Sequence, residues 1–285
     1  MRPQYLSEKA INHFIDSALE EDIGEGDHSS LGSLPAVYPI KARLLVKENC
    51  VLAGLELAEK IFHRHDKGLR LQFIKSDGDK ATSGEVAFVV EGEARSILST
   101  ERLVLNCLQR MSGIATVTSR LSELIKDTRA RLMDTRKTTP NFRLPEKWAV
   151  HIGGGMNHRF ALYDMAMLKD NHVDTAGGIS KAVASLKHYL DQTGKNLKIE
   201  VEVRTLEEVK EALESDIDVI LLDNMSPEQI KAAVQLAHGR CKLEASGGIT
   251  ETNLREIAET GVDYISMGAL THSVKSVDLS LKVLK

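Results

Sequence analysis

The sequence has no apolar run near the roughly 18–20 residues that a membrane-spanning helix needs. It has only three cysteines, Cys50, Cys107 and Cys241, far apart and odd in number. They show neither zinc-ligand spacing nor a disulfide framework, and such a chain suits a reducing cytoplasm. There is no excess of positive charge. The formal net charge of −4 argues against bulk nucleic-acid binding. Low-complexity segments and solenoid repeats are also missing. The opening residues MRPQYLSEKAINHF are too polar, and turn acidic too soon, for a secretory leader.

What is present is ordinary bulk with unusual local chemistry. The 285 residues, 42% hydrophobic and 27% charged, suffice for one large domain or two ordinary ones. Ser7 is placed to cap a helix whose apolar stripe is Ile11, Phe14, Ile15, Ala18 and Leu19. Gly24 and Gly26 end that helix, and the following EGDHSS reads as a loop. Residues 42–47 and 86–90 read as strands, with a helix over 54–62 between them. A long helix starts at Thr100, and Ser112-Gly113-Ile114-Ala115-Thr116 reads as a break in it.

The second half has another rhythm. Short apolar stretches at 197–203, 218–223, 241–246 and 262–268 read as strands separated by helices. Thr205 and Ser226 open capping boxes, and Pro227 sits at the favoured first helical position. The strand ends Glu202, Asp223, Ser246 and Gly268 recur about every 22 residues, the size of one βα unit. Right-handed βα units in series bring these ends to one face, where such barrels carry their sites.

That face collects complementary groups. Asp134, Arg136 and Lys137 follow one strand. Glu200 and Glu202 share one side of the next candidate because strand side chains alternate. Asp223 and Asn224 end another. Ser246-Gly247-Gly248 precedes a helix that Thr250 can cap, and Gly268-Ala269-Leu270-Thr271 closes the series. Glycines there let backbone N–H groups approach an anion, and a following helix N-terminus adds partial positive charge. The segment HIGGGMNHRF at 151–160 matches neither a Walker A loop nor GxGxxG. Taken alone, His158 reads as a structural histidine. Arg136, Lys137, Arg159 and Lys169 are different: four cations in one cleft repel one another unless they share an anionic ligand. Glu202 and Asp223 fit either Mg²⁺ between them and a pyrophosphate, or ribose hydroxyls.

In order, DTRKTTP, GGGMNHR, LKDNH, EVEV, LLDN, EASGGI and GVDYISMGALTHS resemble the quinolinate phosphoribosyltransferases. EDIGEGDHSS and ARSILSTERLVLNCLQRMSGIAT extend the resemblance over nearly the whole chain. It implies an α/β protein: an N-terminal α+β sandwich domain, residues 1–113, joined by a returning C-terminal strand within 274–285. An incomplete, TIM-like α/β barrel would occupy 114–273. It also implies cytoplasmic NAD biosynthesis, in which quinolinate and phosphoribosyl pyrophosphate give nicotinate mononucleotide, pyrophosphate and CO₂ with Mg²⁺. By resemblance, Arg136, His158, Arg159 and Lys169 hold the quinolinate carboxylates. Lys137, Glu202 and Asp223 form the catalytic group. Glu202 and Asp223 serve the ribose and the metal, directly or through pyrophosphate and water. Ser246, Gly247, Gly248, Gly268, Ala269 and Leu270 cradle the 5′-phosphate. Arg102 corresponds to an arginine donated by a neighbouring subunit, which implies a homodimer or a hexamer built as a trimer of dimers.

Three stretches depart from the family pattern. Pro140-Asn141-Phe142-Arg143 stands where Pro-Gly-Leu-Arg is usual, and Asn tolerates a left-handed backbone better than most residues. Pro145 and Trp148 replace a usual leucine and tyrosine, and Ser29-Ser30 stands where threonines are common. Rival readings are a nicotinate-using or other paralogous phosphoribosyltransferase, which would release no CO₂, and a non-catalytic phosphate-binding module. The module would account for the glycines but not for the cations together with Glu202 and Asp223.

Overall fold

The computed structural model describes residues 2–284. Along the chain run α1 (Glu8–Ile23), α2 (His28–Ser33), β1 (Pro39–Val46), β2 (Cys50–Val51), α3 (Leu55–His65), β3 (Arg70–Phe73), β4 (Lys80–Ala81), β5 (Val86–Glu93) and α4 (Ala94–Leu124). Next come β6 (Arg131–Met133), α5 (Arg143–Ile152), β7 (Ala166–Leu168), α6 (Asp170–Ala176) and α7 (Ile179–Thr193). Strand and helix then alternate through β8 (Ile199–Val203), α8 (Leu206–Leu213), β9 (Val219–Asp223), α9 (Pro227–Ala237), β10 (Lys242–Ser246), α10 (Glu251–Ala258), β11 (Tyr264–Ser266), α11 (Ala269–His272) and β12 (Leu279–Leu284). The chain forms two compact units. The first comprises residues up to Ser119, Lys137–Gly154 and Leu270 onward; the second comprises Arg120–Arg136 and Gly155–Ala269. The loop from Lys137 therefore packs with the first unit, although its sequence position suggested the barrel.

The first unit is built on an antiparallel sheet in the order β12-β1-β5-β3. The returning strand is there: Leu284 to Leu279 pair with Lys41 to Val46. On β1, Ala42, Leu44 and Val46 are buried between more exposed neighbours, the period-two pattern of a half-buried sheet. Phe88 of β5 is fully buried and meets Phe62 of α3 and Phe73 of β3 edge-on, at 6.2 and 5.7 Å. Emptying such a site costs about 3–5 kcal/mol. The start of α3 is capped from a distance: the Asp77 carboxylate accepts the Leu55 and Glu56 N–H groups at 2.8 and 3.2 Å.

Two local expectations change in this unit. Glu25-Gly26-Asp27-His28-Ser29-Ser30 is not all loop, because Asp27 accepts from Ser30 N–H and starts α2. The break expected at Gly113 does not occur, and α4 runs on as a single helix of 31 residues. Gly113 is there for packing. A Cβ on it would lie 2.3 Å from the Lys275 carbonyl oxygen, so a second segment uses the space the missing side chain leaves.

The second unit holds six parallel strands in the order β6-β11-β10-β9-β8-β7. Among the described residues β6 and β7 do not pair, so the barrel is incomplete. Val219 to Leu222 of β9 are all buried, as a parallel strand covered on both faces requires. The caps form at the expected residues, but at Thr205 only half of the expected capping box is made, because the Glu208 carboxylate accepts the Arg204 N–H instead of the Thr205 N–H. Ser226 and Gln229 close a capping box around Pro227, Thr205 accepts from Glu208 N–H, and Thr250 pairs with Asn253. Parallel direction puts the ends of β8, β9, β10 and β11 on one side. No helix among the described residues is long and apolar enough to cross a membrane.

Candidate active site

Within the second unit, the site begins at the two margins of the sheet. Asp134 follows β6 and is fully buried. Its carboxylate accepts the His158 N–H at 2.9 Å and the Asn157 side-chain N–H at 2.7 Å. Met133 and Met156 form a further parallel bridge. These bonds pin the segment before β7 against the end of β6, and so fix where Arg159 leaves the backbone.

Arg159 is half-buried. Its guanidinium donates to the Met165 carbonyl at 3.2 Å. Burial lowers its pKa from the usual arginine range, and the charge of Arg136 lowers it further; Glu200 and Asp164 oppose both. At the other margin, Lys169 ends the turn after β7, with its ammonium 3.9 Å from Glu202. Lys169 is half exposed, so this pair contributes at most about 1 kcal/mol.

The middle strands bring acids and glycines. Burial pushes the Glu202 carboxyl above the usual range; Lys169 works against that rise and Asp223 adds to it. Asp223 lies opposite Ser246 in the register of β9 and β10. Asn224 joins them. Its backbone takes a left-handed φ of +54°, its N–H donates to the Ser246 carbonyl at 2.9 Å, and its side chain donates to Asp223 at 2.8 Å. Gly247 makes room for it. Gly247 has φ +87°, and a Cβ there would stand 2.3 Å from the Asn224 side-chain oxygen. Only glycine satisfies both conditions. Gly248 follows with φ +62°, and the Thr250–Asn253 capping box opens α10. Successive left-handed glycines ahead of a helix make an anion-binding concavity. Gly268 and Ala269 close this side of the unit.

The first unit carries the remaining residues of interest. Arg102 lies exposed on α4. The Lys137 carbonyl accepts the Thr271 hydroxyl at 2.8 Å, and Leu270 is fully buried on α11. In the loop that follows Lys137, Asn141 adopts φ +61° where the family usually has glycine. Phe142 packs edge-on against Phe14 at 5.5 Å. Pro145 falls in the first turn of α5, where no helical N–H bond is lost. Trp148 is buried beneath Arg2, whose guanidinium lies 5.5 Å from the ring centre. Gly153 is a close-approach position: a Cβ there would lie 2.6 Å from the Ala115 carbonyl.

His158 is turned toward protein groups. It is 7% exposed, and both ring nitrogens face protein groups. Nδ1 accepts the Arg159 N–H at 2.7 Å, while Nε2 lies 3.0 Å from Glu200 and 3.5 Å from Glu244. Glu244 was not singled out in the sequence at all. Its only signal was an acid in the middle of an apolar strand, Lys242-Leu243-Glu244-Ala245-Ser246.

Residues 34–112 match the family model for the quinolinate phosphoribosyl transferase N-terminal domain, and residues 114–282 match that for its C-terminal domain. The chain is similar to quinolinate phosphoribosyltransferase [decarboxylating] 1 of Nicotiana glauca, with 45% identity over 94% of this chain and 81% of the relative. It is 42% identical to a probable nicotinate-nucleotide pyrophosphorylase [carboxylating] of Bacillus subtilis, over 96% of this chain and 92% of the relative. NadC from Streptococcus pyogenes superposes with a TM-score of 0.90 at 41% identity, covering 98% of this chain and 99% of that one. Two family models in the right order, these relatives and the paired cations beside an acid-and-glycine cradle lead to one assignment: the chain belongs to the quinolinate phosphoribosyltransferase family.

Proposed function

We propose that this protein is a quinolinate phosphoribosyltransferase of NAD biosynthesis, converting quinolinate and phosphoribosyl pyrophosphate to nicotinate mononucleotide, pyrophosphate and CO₂. The observation that carries this reading is the half-buried Arg159, held at the Met165 carbonyl and close enough to Arg136 to feel its charge, in a unit that also presents the left-handed Gly247 and Gly248. A monocarboxylate would leave such a cation group under-neutralised; a dicarboxylate matches it.

The residues divide the work. Arg136, Arg159 and Lys169 hold and orient the two carboxylates, with Lys137 beside both substrates. Gly247, Gly248, Gly268 and the residues next to them receive the 5′-phosphate on backbone N–H groups. The ring nitrogen then faces C1 of the ribose. Its lone pair forms the new C–N bond as the bond to pyrophosphate breaks. Positive charge builds on the sugar, and Glu202 and Asp223 are the acids placed to stabilise it. In the nucleotide, the pyridinium draws the electrons of the C2–carboxylate bond into the ring. CO₂ leaves and a proton takes its place. Catalysis of this kind is positioning and electrostatics, with no covalent nucleophile.

Magnesium fits the acids present. The carboxyl of Glu202 is raised by burial and by Asp223, and a divalent cation relieves that repulsion. We assign Glu202 and Asp223 to it; when bound, it would neutralise charge on the pyrophosphate. We also propose that Arg102 acts in the site of a neighbouring copy, a reading its exposure on α4 supports. Mixing inactive Arg102→Ala and Arg159→Ala chains should restore activity in mixed oligomers; no recovery would remove the shared site. We place the protein in the cytoplasm, a reading supported by three free cysteines. Cell fractionation with an antibody checks it.

The functional test is one assay of the purified protein with Mg²⁺, quinolinate and phosphoribosyl pyrophosphate. Nicotinate mononucleotide and CO₂ should appear in equal amounts. Turnover of nicotinate without CO₂ would favour the nicotinate-using paralogue, and binding without turnover would favour the non-catalytic module.

A further inference from the structure

The loop that begins at Lys137 is tied to a buried ion pair that none of the proposed reaction steps uses. Glu146 of α5 is fully buried, and Arg110 of α4 is part-buried beside it. Nε and Nη2 of Arg110 both donate to Glu146 Oε1, at 3.1 and 2.9 Å. The guanidinium also reaches backbone: Nη1 donates to the Val274 carbonyl at 2.7 Å, and Nη2 donates to the Thr271 carbonyl. Glu146 accepts from another direction as well. The Thr139 N–H reaches its Oε2 at 3.0 Å, and the Thr139 hydroxyl reaches its Oε1 at 2.9 Å.

These bonds close a ring around Lys137. Its carbonyl accepts the Thr271 hydroxyl at 2.8 Å, and the Thr271 carbonyl accepts from Arg110. Arg110 pairs with Glu146, Glu146 holds Thr139, and Thr139 lies two residues after Lys137. Between them, the Thr138 hydroxyl accepts from Arg143 Nε at 2.9 Å. Every member of the ring lies in the first unit. Residues 134–142 form no helix or strand, so the loop takes its shape from these partners on α4, α5 and α11. A pair buried for stability alone gains little, because desolvation offsets the attraction and apolar side chains of similar volume often serve as well. Apolar side chains cannot satisfy the Thr139 N–H or the Thr271 and Val274 carbonyls. Lysine needs such a frame, since its ammonium sits on a flexible four-carbon stem.

We propose that Arg110 and Glu146 are positioning residues of this enzyme: through Thr139 and Thr271 they fix the backbone of Lys137, and so set where its ammonium meets the substrates. This rests on Lys137 taking part in turnover.

The test replaces the pair by apolar side chains, Arg110→Met together with Glu146→Leu, and measures kcat with and without Lys137. The paired replacement leaves no orphaned buried charge, so the chain should still fold. Its kcat should nonetheless fall about tenfold, the scale expected for a small misplacement of a reacting group. In a Lys137→Ala background the same replacement should change kcat by less than about twofold, because no ammonium is left to misplace. An unchanged kcat in the folded variant would overturn the proposal, and so would an equal loss in the Lys137→Ala background. Lys137→Ala alone separates the two ideas. If it keeps normal kcat, the role of Lys137 fails and the proposal with it; if it loses kcat while the paired replacement does not, only the positioning role fails. Should the paired replacement not fold, Thr271→Val decides, since it keeps the side-chain shape and removes the hydroxyl that holds the Lys137 carbonyl. It should lower kcat about three- to tenfold, and by less than about twofold when Lys137→Ala is also present. No loss with Lys137 in place, or the same loss in both backgrounds, would overturn it.

Discussion

The margins and the middle of the parallel sheet do different work by different means. At the margins, after β6 and β7, the groups we propose to bind quinolinate are long cationic side chains, and their placement depends on buried acids. Arg159 stands over Asp134, His158, Glu200 and Glu244. In the middle, after β9 and β10, the groups we propose to receive the phosphate are backbone N–H donors, and their placement depends on a missing side chain. Gly247 yields space to Asn224, and Asn224 ties Ser246 to Asp223. One end is held by charge and the other by steric economy. They should therefore fail in different ways when mutated.

The largest effect should come from Arg159→Ala. Removing a part-buried, charge-assisted partner costs about 2–5 kcal/mol, so quinolinate binding should weaken by roughly a hundredfold or more in a chain that still folds. Equilibrium dialysis with quinolinate checks this; normal affinity would sink the assignment of the margin. Gly247→Ala comes next. The strained φ and the overlap with Asn224 should displace the loop and raise the KM for phosphoribosyl pyrophosphate, by about tenfold or more, with the KM for quinolinate unchanged. An equal rise in both constants would erase the distinction between the two ends.

A smaller effect concerns stability and pH. Burial and the charge of Glu200 push the folded Glu244 carboxyl up to about 8, above its ordinary value of 4.5, with His158 and Ser266 also beside it. Between those values the folded chain keeps a proton that the unfolded chain releases. The stability this group contributes is thus complete below the ordinary value and declines as pH rises toward 8. Glu244→Gln cannot titrate and should flatten the decline by about 1–3 kcal/mol, read as denaturation midpoints from pH 5 to 8.5. Parallel curves for the two proteins would mean that Glu244 is not held protonated. The smallest effect is at Asn141. Asn141→Ala should cost about 1 kcal/mol because its φ is +61°, whereas Asn141→Gly should be nearly neutral. Thermal melts distinguish the two.

The same contrast governs what could be read from the sequence. The middle of the sheet was legible because its devices are local: a strand end, a Gly-Gly, a capping box. Asn141 was legible for the same reason, since a left-handed turn has few acceptable residues. The supports of the margin were not. Whether Glu244 faces inward, and what it meets, is set by its register against Leu221 and Tyr264 on two other strands. His158 meets two acids that follow it by 42 and 86 positions, a pairing no local pattern encodes. Gly113 misled for a related reason. A glycine in a helix reads as a break, yet its purpose lies in Lys275, far along the chain.

The most direct test of the two-ended site is a crossed binding measurement. Isothermal calorimetry would follow quinolinate, and separately phosphoribosyl pyrophosphate with Mg²⁺, binding to the unsubstituted protein, Arg159→Ala and Gly247→Ala. The account predicts that Arg159→Ala loses quinolinate and keeps phosphoribosyl pyrophosphate, and that Gly247→Ala does the reverse. Loss of both ligands in either folded variant, or of neither, would contradict it.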